Sequence, residues 1–118
     1  MSQEPATGDA AHWTLAQAAE RLAGAPRGQH SVPLFRHGTL LLKYYAPPGT
    51  NPQTPHAQDE VYVVAHGEGV FFDGESRRRC AAGDLLFVVA GRPHRFEDFS
   101  ADFGVWVMFY GPVNGERP

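Results

Sequence analysis

His56, Gln58 and Glu60 recur at every second position in the segment Pro55-His56-Ala57-Gln58-Asp59-Glu60-Val61-Tyr62. On an extended strand, residues two apart share one face. An imidazole and a carboxylate on one face are ordinary ligands of a borderline divalent metal such as iron, zinc, manganese or nickel. A His and a Glu alone carry little weight, because such residues are more often solvent-facing or hydrogen-bonded for structural reasons. A second segment, residues 83–98, runs through a turn, a strand, a turn bearing Gly91 and then His94 at the start of a further strand. Any shared chemistry is therefore expected where these two segments meet.

The elements that must position these residues are mostly short. Residues 1–11 are small and polar and are expected to be disordered. Residues 12–31 hold a helix and a linker. Thr14 and Gln17 have capping-box spacing, Trp13 and Ala18 occupy the staple positions, and Gly24 followed by Pro26 stops the helix. From Val32 the texture changes to apolar or alternating runs separated by Gly, Pro, Asn and Asp. Strands are expected over 33–37, 39–45, 60–65, 69–73, 75–79, 84–89, 94–98 and 103–110. Asp73-Gly74 predicts a two-residue type I′ hairpin. Many short strands without intervening helices predict an all-β antiparallel sandwich or barrel over residues 32–111, with a tail over 112–118. There is no internal repeat, so one barrel is expected.

On these segments the chain resembles the cupin family. The family's first motif has the form G-x5-H-x-H-x3-E-x6-G, and Gly67, Glu60 and His56 fall at its last Gly, its Glu and its second His. The second has the form G-x5-P-x-G-x2-H-x3-N, which Gly83, Gly91 and His94 match in register. The resemblance extends to small bacterial cupins with a P-H-x-Q-D-E-V-Y segment and an H-R-F-E-D-F ending, here 55–62 and 94–99. It implies a jelly-roll barrel with one divalent metal ion (Fe, Zn, Mn or Ni) held by His56, Glu60 and His94. The family's first His falls on Thr54, Gly49 lies one residue closer than the pattern asks, and Val89 and Asp98 replace Pro and Asn. Two His and one carboxylate match a facial triad or a catalytic zinc set, with positions left open. Gln58 is the candidate fourth ligand, or a hydrogen-bond partner of the ligands. The implied function is a metalloenzyme acting on a small organic molecule, dioxygenase-like or isomerase-like. The rival is a non-catalytic module binding a small ligand such as a sugar. Cupins of this size pair as homodimers, and the edge strand at 32–37 would suit that pairing.

Among the aromatics that could line a pocket (Phe35, Tyr44, Tyr62, Phe87, Phe96 and Trp106), Tyr62 and Phe96 share the face of Glu60 and His94 by alternation. Those two are the leading pocket residues, with Trp106 a weaker one. Asp59, on the opposite parity, is expected to face solvent or cap the strand. His12, His30, His37 and His66 have no partner at ligand spacing and are assigned no role. A net charge of -3 and a single basic run, Arg77-Arg78-Arg79, argue against a nucleic-acid partner. The lone Cys80 forbids an internal disulfide and reads as a small buried side chain. No apolar run approaches a membrane span, and residues 1–5 lack a signal-peptide pattern. A cytoplasmic setting is expected.

Overall fold

A computed structural model describes residues 4–49 and 55–118. Thr54, the position of the missing motif histidine, lies outside the described residues. The chain runs through α1 (Leu15–Ala23), β1 (Ser31–His37), β2 (Leu40–Tyr45), β3 (Asp59–His66), β4 (Glu68–Phe72), β5 (Arg77–Ala81), β6 (Leu85–Val88), β7 (Arg95–Glu97) and β8 (Gly104–Tyr110). A five-stranded sheet has the order β1-β2-β8-β3-β6, and a three-stranded sheet has the order β5-β4-β7. Every strand pairing is antiparallel. The result is the expected all-β jelly-roll barrel with a short N-terminal helix. No helix among the described residues is long and apolar enough to cross a membrane.

The large sheet is apolar on both faces, and alternation sorts its side chains between two cores. Tyr62, Val64, Val105 and Val107 point into the barrel and form one core with Phe103, just before β8, and with Phe71 and Phe96 of the small sheet. Val32, Leu34 and Tyr44 point the other way and are covered by α1 through Ala18, with Leu15 and Leu22 alongside. Leu34 is completely buried, which is worth about 2 kcal/mol relative to exposure. The helix starts as its spacing predicts: Thr14 accepts from the Gln17 amide, and the Gln17 side chain accepts from the Thr14 amide.

Several local expectations are corrected. The β4–β5 turn is shifted by one residue, since the Asp73 amide donates to the Ser76 carbonyl and leaves Gly74 and Glu75 as the central pair. Only Gly74 has a positive φ (+97°), whereas a type I′ turn needs two such residues. The Asp73 carboxylate accepts from the Glu75 and Ser76 amides, a local bond that wins over the Asp-Gly turn preference. The segment expected to be disordered is docked at Ala6, which exchanges backbone hydrogen bonds with Leu34 and Arg36. That bridge occupies the middle of the β1 edge, where a second copy was expected to pair. Gly67, between β3 and β4, has φ +80°, and a Cβ there would lie 2.9 Å from the Phe103 Cα. Glycine is required at this motif position by both conformation and space.

Candidate metal centre

Glu60 is placed by β3, between Val88 of β6 and Phe109 of β8, and points into the barrel. His94 stands just before β7, and His56 precedes β3 in the loop that approaches it. The Gly91 turn is tied to that loop, its amide donating to the His56 carbonyl at 2.7 Å. The ligand atoms of His56, Glu60 and His94 all lie within 4.8 Å of one another. Glu60 is 1% exposed and His94 5%. The Glu60 Oε1 sits 2.6 Å from His94 Nε2, while Oε2 has no hydrogen-bond partner and lies 4.0 Å from His56 Nε2.

The His94 ring is oriented by its other nitrogen, since the Arg92 carbonyl 2.8 Å away can only accept from Nδ1–H. Nε2 is thereby left facing Glu60, and the Tyr62 hydroxyl also reaches it at 2.9 Å. A nitrogen lone pair and a carboxylate oxygen this close need a cation between them. In the metal-free chain a proton fills that role. Burial opposes a charged His94, but the hydrogen bond to Glu60, the Arg92 carbonyl and the Glu60 charge outweigh it and hold its pKa above the ordinary value. His56 shifts the opposite way: burial lowers its pKa, and His94 and Lys43 add to that against the pull of Glu60. A divalent ion suits the same donors, since it would satisfy the orphaned Oε2 and use both imidazoles in their neutral form. The donor set fits a metal.

A cavity of about 320 Å³ is lined by His56 and His94 of this cluster, while Glu60 is buried beside them. Tyr62 and Phe96 line it, with Val107 and Phe109. Burial pushes the Tyr45 phenol, also on the lining, up to about 12, with the Glu60 charge adding to it. His30 and Lys43 line it as well and were missed, because His30, just before β1, and Lys43, in β2, are remote in sequence from the motif segments. Lys43 alternates with Tyr44 and so shares the face of Tyr45, a signal that was present but ambiguous as to which face was inside.

Two site expectations are corrected. Gln58 does not reach the cluster: its amide donates to the Gly111 carbonyl at 2.8 Å and toward the Thr39 carbonyl at 3.4 Å. The chain bends at Ala57 and Gln58, so β3 begins only at Asp59 and strand alternation does not extend back to His56. Trp106 does not line the cavity either. It pairs with Tyr44 and Val63 in the sheet and packs on the helix side, edge-on to the Tyr44 ring at 5.6 Å. Asp59 is buried rather than solvent-facing, and caps the strand by accepting from the Ala90 amide at 2.8 Å and the Glu116 amide at 2.8 Å.

Comparison with known proteins agrees with this architecture. The uncharacterized protein SCO3923 of Streptomyces coelicolor is 41% identical over 63 residues, 53% of this chain and 60% of that relative's length. TT1209 from Thermus thermophilus superposes with a TM-score of 0.63 at 29% identity, covering 80% of this chain and 95% of that one. A cupin-2 domain protein from Shewanella frigidimarina gives 0.64 at 14% identity over 79% and 91% of the two chains, which speaks to the fold alone. The DMSP lyase DddQ from Ruegeria pomeroyi gives 0.59 at 26% identity, over 69% of this chain and 46% of the lyase. The family profile described as the cupin domain matches residues 42–109, which span most of β2 through most of β8 and include all three clustered side chains, and the chain belongs to the cupin family.

Proposed function

We propose that this cupin is a metal-dependent enzyme acting on a small organic molecule, with His56, Glu60 and His94 holding one divalent ion at the floor of the cavity. The observation that carries this reading is Glu60, a buried carboxylate with one oxygen unsatisfied and two imidazoles turned toward it. When bound, the ion supplies Lewis-acid polarisation of a substrate oxygen or, if it is iron, a site for dioxygen chemistry. The Arg92 carbonyl fixes the tautomer of His94, leaving Nε2 free to bind the ion, and the Tyr62 hydroxyl, which meets Nε2 in the metal-free chain, stands beside the open positions. Phe96, Val107 and Phe109 keep the cavity walls apolar. The likeness to a protein named as a DMSP lyase favours lyase or isomerase chemistry over an oxygenase.

Elemental analysis of protein purified without chelator tests the site. About one divalent ion per chain is expected in the wild type and little in His56→Ala; equal metal in both would sink the reading. Oxygen uptake by the iron-loaded protein across small diols, thiols and phenols then separates the branches. Uptake with any of them favours the dioxygenase. Absence of uptake, together with absence of lyase or isomerase turnover, leaves the non-catalytic binding module.

A homodimer belongs to this reading, with a different seam from the β1 edge. Leu85 and Phe87 on β6, and Val89 just past its end, are exposed at alternate positions on the other edge of the large sheet. A second copy paired on β6 would cover that apolar stripe and continue the sheet. Sedimentation should give the mass of two chains for the wild type and of one for Phe87→Glu. A wild type sedimenting as one chain removes this part of the proposal.

A further inference from the structure

Lys43 is the one lysine of the chain, and it points into the barrel. In β2 its neighbours Leu42 and Tyr44 face the helix, while Lys43 lies opposite Val107 of β8 on the cavity side. Its ammonium is half-buried, and burial lowers its pKa from the ordinary lysine value. It has no ion-pair partner among the described residues, and residues 1–3 and 50–54 contain no acidic side chain that could supply one. Arg95, also on the cavity lining, differs in this respect, since Glu97 holds it at 2.6 Å. Even half-buried, an unpaired ammonium carries a desolvation cost that a negative group meeting it would offset. Lys43 lines the same cavity as His56 and His94, so its ammonium and the two imidazoles face one space. There a divalent ion and Lys43 would together face a single carboxylate, Glu60.

We propose that the cavity takes a small organic carboxylate, with Lys43 holding its anionic end and the His56–Glu60–His94 floor facing the remainder. This rests on the reading of the cavity as the substrate site. A lone ammonium is a point charge matched to one negative charge, whereas phosphate sites gather forked Arg groups or several backbone amides. The volume, about 320 Å³, lies at the small end of the ligand-pocket range of about 300–1,000 Å³. Phe96, Val107 and Phe109 suit a short apolar chain between the two ends.

The test uses propionate and its uncharged analogue propionamide, titrated into the full chain with zinc bound and after chelation. Wild type should bind propionate about tenfold tighter than propionamide, the scale of one charge-assisted hydrogen bond. Lys43→Met should lose that preference in both zinc-loaded and chelated protein, and Lys43→Arg should keep part of it. Zinc content measured on the same samples separates the two claims. A wild type that retains no zinc but keeps a Lys43-dependent preference overturns the metal site and leaves the carboxylate anchor standing. A preference that survives in Lys43→Met overturns the anchor alone. If Lys43→Met does not fold, magnetisation transfer from propionate to the Lys43 ε-methylene in wild type decides the question. Its absence at saturating propionate also overturns the anchor.

Discussion

In the metal-free protein, His94→Ala is expected to destabilise the fold by about 3 kcal/mol or more, and Glu60→Gln by about 1 kcal/mol or less. The asymmetry follows from what each change leaves behind. Removing the imidazole strands the Glu60 carboxylate, 1% exposed and already missing a partner on Oε2, without its 2.6 Å contact on Oε1. Removing the charge keeps a side chain of the same size that can still hydrogen-bond His94. For a domain of this size the first change lowers the melting temperature by about 10 °C, and the second by only a few degrees. The double variant should recover most of the loss, because no buried charge remains. Thermal melts of the four chelated proteins check this, and His94→Ala melting with the wild type would mean that Glu60 is not held as a charged group. Both single variants should still fail to retain metal, so stability and metal content separate the structural use of the pair from its use as ligands.

Metal loading should raise the melting temperature by about 10 °C when free zinc stands about a hundredfold above its dissociation constant. The pH dependence of that increment has a definite sign. An ion needs Nε2 of His94 unprotonated, and the His94 pKa in the metal-free fold lies above its ordinary value of 6.5. The increment is therefore full well above that value and shrinks as pH falls through the raised His94 pKa. His56, whose pKa is lowered, takes up its proton last. The chelated protein should show the opposite trend from the same histidine. A raised folded-state pKa gives stability that is present below the unfolded value and lost as pH rises through the folded one. Loaded and chelated samples should thus diverge as pH rises across this window. Parallel curves would count against ligation by His94.

The strands were legible because their runs are short, apolar and closed by turn residues, and the helix because Thr14 and Gln17 form a reciprocal cap. The cluster of His56, Glu60 and His94 was legible through spacing, since the motif glycines sit at turns with positive φ, as Gly67, Gly83 and Gly91 all do. Gln58 was misread because alternation holds only within a strand, and the chain bends just before Asp59. Trp106 was misread for a different reason. Its face depends on register with Tyr44 and Val63, and pairing across two strands cannot be read from either one. Lys43 suffered the same ambiguity in reverse: a lysine among Leu40-Leu41-Leu42 and Tyr44-Tyr45 reads as the solvent face until a helix is known to cover the other side.

The place of Trp106 has a practical side. Both tryptophans of the chain, Trp13 and Trp106, pack in the cluster beneath α1, while the cavity wall carries only tyrosine and phenylalanine as its indole-free aromatics. Intrinsic indole emission from this protein is thus a gauge of helix docking, with the thickness of a β-sheet between the fluorophores and any molecule in the cavity. A titration followed by that signal would look silent while the cavity filled, and the tyrosine signal of Tyr45 and Tyr62 is the one placed to respond.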